Sequence, residues 1–326
     1  MTLERSSCAV TIAGSASVLA DAAGDGIVRT VDGARIEGAV RPRLRKKIDR
    51  FTQIALMATD RLKPHFDGVA RDRVGIFLGN DLAGWNYVHA QLERLIESRD
   101  PLYIDPYVAT AWFPAAAQGE ITIAHGLLGH SKTFSAGYLS GGVALEYAAR
   151  RVADGSLAVA LAGGVEAPNA PAILDALTAE GRIDAGHPAG EAAGMLTLRS
   201  RDQLGIARMT ISSPRRRLEI AVDDVVDALG NAETVYCLMP SVAPENHRWS
   251  RAVSDIESVL TARFGSRLTR AAAPQRDMDV GSASFPLAAI AASEMAAKGQ
   301  AVLVAGADFD GLFLASAVTP MHAGEC

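Results

Sequence analysis

A chain of 326 residues, 49% of them hydrophobic, is long enough to bury one large core or two fused halves. Its formal charge of −5 leaves no electrostatic footprint for nucleic acid, and its densest basic runs, "RPRLRKK" (41–47) and "SPRRRLE" (213–219), read as solvated surface or as contacts for an acidic protein. Three cysteines, Cys8, Cys237 and Cys326, build neither a disulfide framework nor a zinc site of C-x-x-C spacing.

The first twenty residues place an acid and a base ahead of an apolar run too short to span a membrane, without a signal-peptide n-region, so a reducing cytoplasm is expected. "CAVTIAGSASVLA" (8–20) begins as a buried strand; its "GSASV" lacks the full glycine fingerprint of a phosphate site. The segment 45–66 places Ile48, Phe51, Ala55, Ala58 and Leu62 near one helical face. "DRVGIFLGND" (72–81) is a strand ending in a glycine turn, and 105–129 reads as a helix with Pro106 early in it. "TFSAGYLSGGVALEYAARRVADG" (133–155) then runs from small residues through a tight turn into a helix, the kind of unit that holds a nucleophile at a helix N-terminus. Tyr138 stands at the turn, where a cysteine or serine would do chemistry.

A strand over 156–167, a helix over 170–181 and a pair of strands over 192–200 and 207–213 follow. From about residue 215 the rhythm restarts: helix "LEIAVDDVVDALG", strand "ETVYCLMPS", helices "SDIESVLTARFG" and "SFPLAAIAASEMAAKG", and a closing strand pair in "QAVLVAGADFDGLFLASAV". Two successive α/β halves, 1–213 and a shortened 214–326, form one compact body.

On these pieces the chain resembles the β-ketoacyl synthases, enzymes of thiolase-like fold. The matches are collinear over 8–213: the first strand, "KKIDRFTQIALMAT", "DRVGIFLGN", "QGEITIAHGLLGHS", "SGGVAL", "LAVALAGGVEA" and "AGEAAGMLTL". The resemblance implies a layered α-β-α-β-α arrangement of two similar halves. It also implies an acylated cysteine at the elbow and two histidines in the second half. Here the cysteine position falls on Tyr138 and the first histidine position near Pro240, while "DMDVGSASFPLAAIAAS" contains neither lysine nor histidine where the second is expected. His65, His89, His125, His130, His187, His247 and His322 all lie elsewhere in this alignment. A phenol is protonated at neutral pH and needs a base beside it to accept an acyl group, so Tyr138 reads as a plug. Ser135 and Ser140 flank it as turn and cap serines.

The resemblance is nearest to chain length factors, the cysteine-free β subunits that pair with a catalytic ketosynthase and shape its acyl tunnel. It implies a heterodimer with such a ketosynthase, acyl carrier protein as a partner through that complex, and no cofactor. It also implies that residues 132–136 pair across a two-fold axis. Trp112, Phe113 and Ala116 share a helical face with Ala109; a core stripe and a gate projecting into the partner's tunnel are both open. Phe309 falls on the family's gating phenylalanine, and the loop around it is expected to be held by solvated Asp308 and Asp310. His125 and His130 read as structural. The alternatives are a free-standing acyltransferase or decarboxylase using Ser140 or Tyr138, and a structural homodimer that binds carrier protein.

Overall fold

The computed structural model describes residues 7–21, 26–239, 247–275, 277–308 and 310–321. Among the described residues ten strands join into one sheet: β1 (Ser7–Leu19), β2 (Val74–Gly79), β3 (Lys132–Phe134), β4 (Val159–Glu166), β5 (Ala192–Arg199), β6 (Ala207–Ser212), β7 (Val235–Leu238), β8 (Leu268–Ala271), β9 (Ala301–Ala307) and β10 (Phe313–Thr319). The order across the sheet is β8-β7-β9-β10-β6-β1-β5-β4-β2-β3. Counted from β1 or from β6, each set of five runs first, fifth, fourth, second, third. In both sets the second, third and fourth strands are parallel and the fifth is antiparallel to its neighbours. Antiparallel pairing of β1 with β6 joins the two.

The longer helices are α1 (Arg50–Asp60), α2 (Trp85–Ser98), α3 (Ala116–His125), α4 (Ser140–Ala153), α5 (Pro171–Ala179), α6 (Leu218–Val226), α7 (His247–Phe264) and α8 (Ser284–Ala296). Every residue of β2, β4 and β9 is buried, which explains their unbroken apolar runs. The period of two divides each strand between two cores. Phe77, Ala160, Ala162, Val302 and Val304 face a central core shared with α4 and α8. Val74, Ile76, Leu78, Val159 and Leu161 face α1 on one outer side. Val235, Cys237, Leu303 and Ala305 face α6 and α7 on the other. Three cores around two strand sets make the five layers α-β-α-β-α.

Several elements differ from the sequence reading. The helix over 45–66 is only α1, capped by the Asp49 carboxylate, which accepts from the Phe51 N–H at 3.0 Å. Its expected face nevertheless holds: Ile48, Phe51, Ala55, Ala58 and Leu62 are all buried. The single helix over 105–129 is two pieces, Val108–Ala111 and α3, because Pro114 lacks an N–H and restricts the residue before it. The strands at 192–200 and 207–213 do not pair with each other; β1 lies between them. α7 begins at His247, earlier than "SDIESVLTARFG" indicates, and α2 and β8 have no counterpart in the sequence reading. Among the described residues no helix is long and apolar enough to cross a membrane.

Candidate functional site

β3 lies parallel to β2 at one end of the sheet, and the chain leaves it at Phe134 to enter α4 at Ser140. Gly137 makes the turn at φ +67°, and a Cβ built there would lie 2.5 Å from Oδ2 of Asp308, so both conformation and space require glycine. The first turn of α4 is pressed against the backbone at 281–284: a Cβ on Gly141 would sit 2.2 Å from the Ser282 carbonyl oxygen. That contact explains the small residues of "SGG". Ser140 is buried; its hydroxyl donates to the Gly137 carbonyl at 2.5 Å and accepts from the Ala136 N–H at 2.8 Å. It is a turn serine, with both bonds spent inside the elbow. Ser135 is exposed on the outside of the same turn.

Tyr138 is 1% exposed, its ring packed into the core of the second strand set. The Ser284 hydroxyl donates to its phenol oxygen at 2.8 Å. Burial first, then the charge of Asp279, raises the phenol far above its ordinary pKa, so it stays protonated. The Arg182 guanidinium carbon lies 5.6 Å from the ring centroid. Arg182 is itself buried; its Nε donates to Asp279 at 3.1 Å, and Asp81 lies 3.8 Å away. Burial works against the charge of Arg182, but Asp279, Tyr138 and Asp81 outweigh it, and the guanidinium remains a cation. Asp279 also accepts from the Gly281 N–H at 2.7 Å, fixing the turn that leads to Ser284. Behind it the fully buried Glu166 accepts from the N–H groups of Asp81 and Leu82 at 2.5 and 3.3 Å. Burial, reinforced by Asp81, raises the pKa of that carboxyl. The arrangement fills the elbow with a protonated phenol and an ion pair.

The other expected residues scatter. Pro240, Phe309, His322 and Cys326 lie outside the described residues, as do the side-chain surroundings of His247. His125 packs edge-on against Phe66, His130 stacks on Tyr147, and His65 lies under Gly14. His89 sits 3.2 Å from Glu93 on the exposed side of α2. Cys237 is buried in the second outer core, and burial pushes its thiol up to about 12. Asp310 is exposed as expected, but Asp308 is buried against Gly137, so the solvated-loop reading fails for that residue. Arg215, Arg216 and Arg217 of the second basic run turn back to Asp224, the Asp310 carbonyl and Glu219. In the first run Arg45 pairs with Glu37, while Arg41, Arg43, Lys46 and Lys47 are exposed.

Trp112 and Phe113 fall in the break made by Pro114, so the expected helical stripe through Ala109 and Ala116 does not form. They are 46% and 53% exposed, which removes the plain-core reading. They fall in a stretch rich in such side chains: ten of the thirteen exposed large hydrophobics among the described residues lie between Trp85 and Leu128 in the sequence. A groove of about 250 Å³ lined by Phe113, Ala116, Ala109 and Gly119 opens beside them.

Sequence reading missed Arg182, Asp279, Asp81 and Glu166, and placed His187 away from the site. His187 is buried, with burial lowering its pKa against the opposing charges of Asp279, Asp184 and Asp277. One signal was available: Asp279 and Ser284 both lie in the segment where a lysine and a histidine were sought.

A family model described as "Beta-ketoacyl synthase, N-terminal domain" matches residues 35–203, just over half of the chain. The tetracenomycin polyketide synthase ketoacyl synthase beta subunit of Streptomyces glaucescens is 32% identical over 137 residues, covering 40% of this chain and 32% of that protein. The actinorhodin polyketide putative beta-ketoacyl synthase 2 of Streptomyces coelicolor is 30% identical over 145 residues, covering 43% and 35%. The chain thus spans about a third of the length of the curated relatives it matches. Among solved structures, a type II polyketide acyl-carrier protein in complex with its ketosynthase bound to the hexaketide superimposes with a TM-score of 0.80 at 21% identity, covering 96% of this chain and 100% of that one. The ishigamide ketosynthase/chain length factor gives 0.69 at 20%, covering 97% and 100%. At these identities the likeness concerns the fold, which is the expected thiolase-like arrangement.

Proposed function

The chain belongs to the β-ketoacyl synthase family, and on that premise we propose that it is a catalytically silent subunit of the chain length factor type. In this reading it pairs with an active ketosynthase in the cytoplasm, helps shape the tunnel for the growing acyl chain, and meets acyl carrier protein through the complex. The observation that carries it is Tyr138: a fully buried, protonated phenol at the elbow where the family holds an acylated cysteine. The names of the curated relatives, one of them a ketoacyl synthase beta subunit, support the assignment. So do the exposed large hydrophobics concentrated between Trp85 and Leu128, side chains of the kind an obligate partner covers. β3 ends the sheet and offers an edge for pairing across a two-fold axis. We place the division between the halves in the connection at 200–206, ahead of 213/214, because β6 heads the second strand set. The acyltransferase or decarboxylase alternative lacks support, since Ser140 spends its hydroxyl on the backbone of Gly137 and Ala136, and neither group can act as its base.

The test is incubation with malonyl- and acyl-carrier protein followed by intact mass measurement. The expected result is no acyl adduct on Tyr138, Ser135, Ser140 or Cys237. A stoichiometric adduct that disappears in Tyr138→Phe or Ser140→Ala would overturn the reading.

A further inference from the structure

Four segments distant in the chain meet around Tyr138. They are the elbow itself, the turn after β2 with Asp81, the loop after α5 with Arg182, and the 279–284 turn from the second half. The contacts run in series. Arg182 donates from Nε to one oxygen of Asp279 at 3.1 Å and from a terminal nitrogen to the other at 3.5 Å. Asp279 accepts from the Gly281 N–H, and Ser284 at the end of that turn donates to Tyr138. The Asp279 backbone is held as well, its N–H donating to the Pro188 carbonyl at 2.8 Å and its carbonyl accepting from Gly190 at 2.7 Å. Gly281 packs against the Glu166 side chain, whose carboxyl in turn holds the Asp81 turn.

We propose that the Arg182–Asp279 pair is a lock that holds the former acyl chamber shut, so that supplying a thiol at position 138 would not by itself reopen it. The reasoning is electrostatic and steric. Arg182 is a cation buried among Asp279 and Asp81, with Asp308 against the Gly137 turn nearby. Without the guanidinium the two carboxylates lose a shared counter-charge in a low-dielectric pocket, and the 279–284 turn is released toward water. The space above the Tyr138 ring is vacated at the same time. This goes beyond catalytic silence: the reaction would be blocked by access as well as by the absence of a nucleophile. It also stands apart from the partner assignment, since it concerns contacts within one chain.

The test places a reporter thiol in the elbow. Tyr138→Cys is made in the full chain carrying Cys326→Ser, with the buried Cys8 and Cys237 as internal references. Labelling by an aromatic disulfide such as DTNB is followed with time, and the labelled position is read by peptide mass. Tyr138→Cys alone should react at least about a hundredfold more slowly than an exposed thiol. Adding Arg182→Ala should accelerate labelling at position 138 at least about tenfold while Cys237 stays protected. The sign is informative, because removing a nearby cation disfavours the thiolate and by itself slows the reaction. Free reactivity of Tyr138→Cys alone while Cys237 stays protected, or an unchanged slow rate after Arg182→Ala, overturns the lock. If Cys237 labels too, the fold has opened globally, and Arg182→Lys decides: it keeps the charge without the planar fork. An intermediate rate supports the lock and an unchanged rate refutes it. An acyl adduct on the exposed Ser135 of the unaltered chain would sink the silent-subunit reading alone, and one on the buried Tyr138 or Ser140 would sink both. Free labelling of the reporter thiol without any adduct would sink the lock alone.

Discussion

Replacing Tyr138 separates a packed plug from a vacant site. Its side chain is among the largest fully buried ones, and aromatic side chains in that state bury about 150–250 Å² each. At about 25 cal/mol per Å², truncation to alanine removes roughly 4–6 kcal/mol of transfer free energy, and mutational experience with large aromatic cores gives about 3–5 kcal/mol. Tyr138→Phe keeps the ring and removes the phenol oxygen that accepts from the Ser284 hydroxyl. That costs about 1 kcal/mol, rising toward about 3 kcal/mol if the buried hydroxyl finds no other partner. The expected order is therefore wild type, then Phe, then Ala, with the second step the larger. Domain stabilities are about 5–15 kcal/mol, so the alanine variant should sit near the folding limit. Urea unfolding of the purified chain measures both steps, provided the denaturant slope is unchanged. A cost below about 2 kcal/mol for Tyr138→Ala would show that the ring was not filling a packed volume, and the plug reading would fall.

Two further outcomes follow from burial. Trp112 and Phe113 are about half exposed, so Trp112→Ala or Phe113→Ala should cost the chain less than about 2.5 kcal/mol, the transfer value of half an aromatic side chain. Co-expressed with an active ketosynthase, either variant should lengthen the product at unchanged heterodimer yield; loss of the heterodimer with unchanged product length would remove the tunnel role. Asp49 ties the N-termini of α1 and α2, accepting from Phe51 and from Tyr87 at 2.7 Å, and burial raises its pKa from 3.8 to about 6. The folded state therefore keeps a proton that the unfolded state releases, so stability falls as pH rises from about 4 to 6 and is level above that. The loss is at most roughly 3 kcal/mol, since a tenfold change in proton affinity is worth about 1.4 kcal/mol. Asp49→Asn keeps a cap acceptor and removes the titration; the wild-type minus variant difference should trace that fall, and a difference independent of pH would refute it.

What the sequence disclosed, and what it concealed, follows from the range of the forces involved. Strands buried on both faces announce themselves as continuous apolar runs, which is why β2, β4 and β9 are legible near their true bounds. α2 carries a legible stripe, Trp85, Val88, Leu92 and Ile96 at helical spacing; what its sequence conceals is that Trp85, Leu92 and Ile96 on that stripe stay exposed on the chain instead of entering its core. The break at Pro114 is written in the sequence but is masked by the apolar spacing around it. The elbow is legible down to Tyr138, because glycine and small residues mark a tight strand-to-helix turn. Its filling is not: Tyr138 meets Ser284 across 146 positions and Arg182 meets Asp279 across 97, and separations of that size leave no periodic trace.

A physical rule narrows the search in such cases. A chamber that loses its catalytic groups leaves a void or an unsatisfied polar wall, and both are costly in a close-packed interior. The replacement groups must therefore come from segments that already face the chamber. On the proposed reading "DMDVGSASF", which holds neither lysine nor histidine, is such a segment, and Asp279 is the charge it brings. That Asp279 requires a buried cation, and Arg182 in "EGRIDAGHP" lies in the connection that returns to β5 alongside it. For a degenerate active site, the charges gained in the matched segments are as informative as the nucleophiles lost, because a new buried charge is tolerated only where a partner has been built for it.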